Sequence, residues 1–393
     1  MKNRKTDRVV LQSSYEWLTQ TETWIYNHIK YLEGWRAVVL CEKTLNLDQF
    51  PWPEIYSAES ESLVERKIRG LKRRLGATTF PTPFERAARR TKARLLHSHF
   101  GPQGWRNLGF ADKYGLRTIV TFYGYDVKRI FTEQPIWRER YQEMFARIDL
   151  VLCEGPYMAG SIADIGCPKE KVRVQRLGVD LSRFPYKPRI WDGSSPLRLL
   201  MAARFMEKKG FPYAIEAIGL LHRLKPEIQM EITIIGDAYQ ELADSLVEKE
   251  AILRRVGEWG LSGRVRLLGL QPYSRVIEEA YKHHLFLSPS VTASDGDVEG
   301  GAPVVLIEMA ASGMPIAATK HCDIPGVLGS ANRGLLVEEK NPSQLAETLS
   351  KLIESRGQWE ALVRENREHI ERNFDLREQS RSLSRIYDEM VSR

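Results

Sequence analysis

Two doubly wound α/β domains, facing each other across a cleft, are the architecture this sequence predicts. Three observations point there. The chain has 393 residues, more than one core ordinarily serves, since cores stop growing at roughly 250 to 300 residues. Short apolar runs bounded by turn residues alternate with helical stretches along its length, the pattern of parallel strands joined by helices that cover both faces of a sheet. Between Phe184 and Arg198 this alternation lapses, and Pro185, Pro188, Gly193, Ser194, Ser195 and Pro196 collect as in a linker. The expected division is 1–190, 196–372 and a last helix over 373–393.

The first half opens with the helix "TETWIYNHIKYLEG" and the strands "RAVVLCE", "ARLLHSHF" and "RTIVTFYG". The helix "PIWRERYQEMFARI" and the strands "DLVLCEG" and "VRVQRLG" complete it. Past the linker come strand "LRLLMAAR", helix "PYAIEAIGLLHRL", strand "MEITIIGD", helix "LADSLVEKEAILRRVGEWG", strand "RVRLLG", helix "YSRVIEEAYKH" and strand "LFLSPS". Strands "PIAAT" and "RGLLVE" and helix "PSQLAETLSKLIESR" close the second sheet. The last helix, "FDLREQSRSLSRIYDEMVSR", follows a sheet that is already complete, so its apolar positions need another surface, which the first domain can supply. No internal repeat or low-complexity segment interrupts this order.

A composition of 42% hydrophobic and 28% charged residues is that of a globular protein rather than a disordered or fibrous one. No apolar run reaches the roughly 20 residues that cross a bilayer, and the basic start lacks an apolar signal core. A cytoplasmic protein is expected. Cys41, Cys153, Cys167 and Cys322 show no chelating spacing, and neither they nor His283, His284 and His321 suggest a metal. The net charge of +7 is uneven, because "ERKIRGLKRRLG" and "FERAARRTKAR" crowd arginines and lysines into one early region. Such a patch is either a solvated helix face or a site for an anionic partner. An anionic membrane surface is favoured over nucleic acid, because Leu63, Val64, Ile68, Leu71 and Leu75 add an apolar stripe at roughly helical spacing.

The chemistry concentrates beyond the carboxyl ends of the second domain's strands, where open parallel sheets bind ligands. After "LFLSPS", the loop "VTASDGDVEGGA" should lead into a helix beginning near Pro303 and stopping before Gly313. Gly300, Gly301 and Ala302 then offer bare backbone N–H groups at the positive end of that helix, an anion site. Glu299 and Glu308 at either end can accept hydrogen bonds from sugar and ribose hydroxyls. Arg204 and Lys209, in "MAARFMEKKGF", supply a planar fork and a point charge suited to a diphosphate. A nucleoside diphosphate sugar fits this set.

"MAARFMEKKGF", "IIGD", "LGLQPY", "FLSPS" and "EGGAPVVLIEMAASGMPIAAT" resemble, in order and spacing, the second domain of retaining nucleotide-sugar glycosyltransferases of family four. "HSHFG", "TFYGYD" and "VQRLGVDLSRF" are similar to that family's first-domain and hinge motifs, notably in bacterial exopolysaccharide and colanic-acid-type enzymes. The resemblance covers nearly the whole chain and implies the two-domain fold called GT-B. It also implies that Arg204 and Lys209 hold the donor diphosphate, Glu299 the donor sugar and Glu308 the ribose. The loops at Gly236, Leu270 and Gln271 would border the base, with His99, Tyr123 and Asp126 on the acceptor or sugar side. No cofactor or metal is implied. The acceptor would be a glycan or polyprenyl-linked saccharide, used in cell-surface polysaccharide synthesis on the inner face of the plasma membrane. Front-face displacement with the donor phosphate taking the acceptor's proton follows by analogy, together with domain closure that excludes water.

The chain departs from the family at three points. One extra residue stands between Glu299 and Glu308, which a bulge in the loop would absorb. Tyr123 replaces a frequent histidine and cannot titrate near neutrality, so a general base there is not available. Gly326, in "DIPG", removes a carboxylate. Asp126 either caps its turn or faces the acceptor, His99 either neighbours the sugar or ends its strand, and Gly178 and Asp180 shape the hinge turn. An epimerase or phosphorylase of similar architecture and a non-catalytic binder of anionic polymers are the rival readings. A dehydrogenase is disfavoured, since no GxGxxG follows a strand.

Overall fold

The computed structural model describes residues 8–19 and 22–392. The basic start read for a signal segment, residues 1–7, lies outside the described residues. The chain divides into two compact units, Met1–Gly178 with Leu376–Arg393, and Val179–Asp375.

The crossing at Gly178 and Val179 lies ahead of the expected linker between 190 and 196, and the last crossing falls at Asp375 and Leu376, next to the expected 373. Residues 184–198 pack into the second unit. Phe184 and Arg189 are buried, and the Arg189 guanidinium donates to the carbonyls of Ala280, His283 and Ser312 at 2.8 to 3.2 Å. Proline and glycine remove periodicity from this stretch, but its polar and aromatic side chains still find partners, which periodicity does not register.

The first unit holds a parallel sheet of β1 (Val9–Trp17), β2 (Arg36–Thr44), β3 (Ile55–Ser57), β4 (Leu95–His99), β5 (Arg117–Thr121), β6 (Leu150–Cys153) and β7 (Val172–Val174), in the order β3-β2-β1-β4-β5-β6-β7. β1 lies between β2 and β4, with Val10 opposite Ala37 and Leu95. It is missing from the sequence reading because its apolar start runs into Gln12, Ser13 and Ser14. These are buried all the same, each with a hydrogen-bond partner. The last helix, Leu376–Ser392, sets Leu383, Ile386, Tyr387 and Met390 into the core that Val10, Val39, Ile25 and Ile29 build on one face of this sheet.

The second unit holds β8 (Leu197–Ala202), β9 (Met230–Ile235), β10 (Val265–Leu267), β11 (Leu285–Ser288) and β12 (Ile316–Ala318), all parallel in the order β10-β9-β8-β11-β12. Side chains of β8 alternate between two cores: Leu197, Leu199 and Met201 join helices Phe211–Leu224 and Pro342–Glu354, and Leu200 and Ala202 join helix Val304–Ala311. The expected strand "RGLLVE" is instead the end of a short helix, Ser330–Arg333, and a single bridge from Val337 to Thr319. Asn332, on that helix, donates to the Ile316 carbonyl at 3.0 Å, and the Val337 N–H donates to the Ala318 carbonyl at 3.1 Å. Helix Trp359–Asn373, which the sequence reading omits, buries Trp359, Val363, Asn366 and Ile370 at helical spacing.

Candidate functional site

The strand order of the second unit reverses between β8 and β11, and ligands of doubly wound sheets bind at such a switch point. The loops after these two strands press together at Gly210. Its φ is +66°, and a Cβ there would lie 1.9 Å from the Pro289 carbonyl oxygen, so only glycine fits. This close approach sets two lysines against the loop that follows β11. Lys209 Nζ donates to both Glu299 oxygens at 2.6 and 2.9 Å. Lys208 Nζ meets the Asp297 carboxylate at 3.0 Å and the Val298 carbonyl at 3.0 Å.

Glu299 is gripped from further sides. Ser290 Oγ donates to Oε1 at 2.8 Å, and the Glu299 backbone N–H donates to His321 Nε2 at 3.1 Å. His321 Nδ1 lies 2.6 Å from Glu339, whose other oxygen accepts from the Thr292 N–H at 2.6 Å. These bonds put the ring proton of His321 on Nδ1. Burial opposes ionisation of Glu299, but the charges of Lys209 and Lys208 outweigh it and hold the carboxyl at about 2. Burial also draws Lys209 below the usual lysine range, against the opposing pull of Glu299. Arg204 acts on Lys209 electrostatically, and its guanidinium stands 5.7 Å from the centre of the Tyr239 ring.

Gly300 takes φ +83° where the loop bends towards its helix. That helix is Val304–Ala311 with Pro303 as its N-cap, one place outside the first helical turn, and Gly313 at φ +86° follows it. Val304 and Val305, at its first turn, have no intrahelical acceptors for their N–H groups. Glu308 is buried within the helix and accepts a hydrogen bond from the Tyr273 hydroxyl, with the Arg183 guanidinium 4.3 Å from the Tyr273 ring centre. Burial pushes its carboxyl up to about 7, while Tyr273 and Arg183 pull it back.

The remaining donor-side candidates lie at the ends of β9 and β10. Gly236 has φ +139°, and a Cβ would lie 1.8 Å from the Ala203 carbonyl oxygen. Its N–H donates to Gly269 at 2.9 Å. Leu270 is exposed, and Gln271 turns its amide back onto the Leu268 carbonyl at 2.5 Å.

In the first unit, His99 and Tyr123 come together, with His99 Nδ1 2.7 Å from the Tyr123 hydroxyl. The contact begins a buried polar chain. His99 Nε2 reaches Gln12 Oε1 at 3.0 Å, and Gln12 Nε2 donates to Tyr387 at 3.0 Å. Tyr387 meets His97 Nδ1 at 2.7 Å, and His97 Nε2 meets Thr121 at 2.6 Å. With Gln12 Oε1 as acceptor, His99 donates from Nε2 and accepts the Tyr123 proton at Nδ1. Burial lowers His99 to about 3 and raises Tyr123 well above the usual phenol range. A small cavity bordered by His28, His97, His99, Tyr123 and Gln175 adjoins this chain.

Asp126 is wholly buried, and it accepts from the N–H groups of Gly101, Tyr123 and Gly124 at 2.9 to 3.0 Å. It caps its loop, one of the two roles its sequence position allowed. Sequence reasoning missed Lys208, Glu339, Tyr273 and Gln12, and gave His321 no role. Only the lysine adjoining Lys209 had a local signal; the others reach their partners through the fold.

The family model described as "Glycosyl transferases group 1" matches residues 192–373, and "Glycosyltransferase Family 4" matches 21–183. A putative colanic acid biosynthesis glycosyltransferase, WcaL of Escherichia coli K12, is 31% identical over 336 residues, covering 84% of this chain and 75% of the relative. The amylovoran biosynthesis glycosyltransferase AmsK of Erwinia amylovora is 30% identical over 278 residues, covering 70% of this chain and 64% of the relative. Among solved structures, Anabaena Alr3699/HepE in complex with UDP and glucose superposes with a TM-score of 0.74 at 14% identity, covering 97% and 100% of the two chains, a likeness of fold.

Proposed function

The chain belongs to the family-four glycosyltransferases, of the GT-B fold, and from that premise we propose that it moves a sugar, with retention and without a metal, from a nucleoside diphosphate donor to a glycan or polyprenyl-linked saccharide. The relatives named for colanic acid and amylovoran synthesis support a place in exopolysaccharide assembly; the inner face of the plasma membrane is the location this reading proposes for it. The observation that carries the reading is the Lys209–Glu299 pair, formed on the loop that leads into helix Val304–Ala311, with Glu308 on that helix.

Each group then has a task. Glu299, ionised at every pH of interest, accepts hydrogen bonds from donor-sugar hydroxyls. Gly300, Gly301, Ala302 and the first-turn N–H groups receive phosphate oxygens. Glu308 accepts from the ribose, and the loops at Gly236, Leu270 and Gln271 border the base. Arg204 and Lys209 stabilise the negative charge that grows on the diphosphate as its bond to the anomeric carbon breaks. The acceptor hydroxyl bonds to that carbon from the same face, and its proton passes to the departing phosphate oxygen. Tyr123 stays un-ionised with its proton directed to His99, so it presents lone pairs to a sugar hydroxyl rather than acting as a base.

A nucleotide-release assay over UDP-, GDP- and ADP-sugars, with and without a lipid-linked or soluble glycan acceptor, tests the reading. Acceptor-dependent release from one donor, unaffected by a chelator and lost in Lys209→Ala, is the expected result. An epimerase would convert the donor without acceptor, and a phosphorylase would consume glycan with phosphate.

A further inference from the structure

Helix Leu63–Arg74 faces the wrong way for a helix of a globular protein. A capping box specifies its start: Ser62 Oγ accepts from the Glu65 N–H at 3.2 Å and Glu65 accepts from the Ser62 N–H at 2.8 Å. Ordinarily such a helix buries its apolar stripe and leaves its charges in water. Here the charged side is tied to the protein. Arg69 donates to both oxygens of Glu61 at 2.7 to 3.2 Å. Glu61 has no exposed side-chain surface and also accepts from the Thr82 N–H and hydroxyl at 3.1 Å. Arg86 pairs with Glu65 at 3.2 Å, and Arg66 donates to the Glu59 carbonyl at 3.0 Å.

The apolar side is left outside. No residue of the helix is buried. Val64, Ile68, Leu71 and Leu75, spaced i, i+4, i+7 and i+11, are 66%, 49%, 59% and 78% exposed, and Leu63 at the helix start is 76% exposed. At about 100° per residue, Lys67 and Arg74 border one side of this stripe and Lys72 the other, all exposed. An apolar ridge edged by lysine and arginine matches a bilayer whose headgroups are anionic: the ridge enters the acyl boundary while the cations stay at headgroup level.

We propose that helix Leu63–Arg74 is the element that seats this protein on an anionic membrane, through Val64, Ile68, Leu71 and Leu75 with Lys67, Lys72 and Arg74. The proposal rests on the membrane-side part of the reading above and adds the surface responsible. The paired cationic and apolar terms make binding salt-sensitive but not abolished by salt alone.

The test is flotation of the full chain with vesicles of phosphatidylcholine, with and without phosphatidylglycerol. Binding to the anionic vesicles alone is expected. Ile68→Glu/Leu71→Glu should weaken it at least about tenfold, and Lys67→Glu/Lys72→Glu by a similar factor, at roughly fivefold or more per cation. Leu224→Glu, an exposed leucine of the second unit, should bind as wild type. Melting temperatures of all three variants should match wild type, because the altered side chains are exposed. No binding at low salt, or binding unchanged in both doublets, overturns the proposal; so does a dimer of the free protein that Ile68→Glu/Leu71→Glu dissociates. Failure of the glycosyltransferase reading registers separately, as a melting temperature that no nucleotide or nucleotide-sugar raises.

Discussion

Glu308 and Glu299 occupy one loop and helix yet are driven in opposite directions, and the difference has measurable consequences. For Glu308 the folded value of about 7 lies above the ordinary carboxyl range. Its contribution to stability is full at low pH and is lost as pH rises through about 7. On the proposed function the ribose meets Glu308 as a carboxylate, so donor binding below pH 7 is expected to release a proton. The donor KM is expected to rise about tenfold per pH unit below 7, and Glu308→Gln should bind more weakly with a flat profile. A sloping profile in that variant would assign the proton elsewhere. Glu299, held at about 2, contributes stability that is full above the ordinary carboxyl range and is lost progressively as pH falls from there through about 2. Arg204→Ala and Lys209→Ala should each cost roughly 100-fold or more in turnover. Lys209→Ala also strands a buried carboxylate, at about 3 kcal/mol of stability. Adding Glu299→Gln to it should restore the melting temperature, which shows that the stability loss comes from the stranded carboxylate.

At the scale of elements, β1 and the last helix are bound by a polar chain as well as by packing. Tyr387→Phe keeps the ring in its core but leaves Gln12 Nε2 and His97 Nδ1 without their partner. Urea denaturation should show a loss of about 1–3 kcal/mol, the cost of stranding buried polar groups. A loss below about 0.5 kcal/mol would mean that water replaces the hydroxyl. The same chain explains why β1 escaped the sequence reading. Gln12, Ser13 and Ser14 have the composition of a turn, and what makes Gln12 and Ser13 interior residues is a set of partners on β4, on helix Gly101–Arg106 and on a helix some 375 positions away.

At the scale of the molecule, each unit has its own sheet and its own cores. Two unfolding transitions are expected. A nucleotide at 100 times its Kd should raise the transition of the second unit by about 2.7 kcal/mol, and Tyr387→Phe should lower the other. A single transition moved by both would show that the units unfold together. Much of the candidate site was legible beforehand because its motif is local: Glu299, Gly300, Gly301, Ala302 and Glu308 fall within one loop and helix, and Arg204 and Lys209 within the turn that follows one strand.

By itself the sequence determined the alternation of strands and helices, the family, and the residue types gathered at the head of one helix, since periodicity, turn chemistry and motif spacing are properties of neighbours along the chain. Only the tertiary structure decided that Lys209 closes on Glu299, that His321 and Glu339 hold that loop, that Asp126 caps backbone, and that helix Leu63–Arg74 turns its apolar side outward. Those outcomes depend on partners distant in sequence and on which face of an element is covered, and no local pattern encodes either.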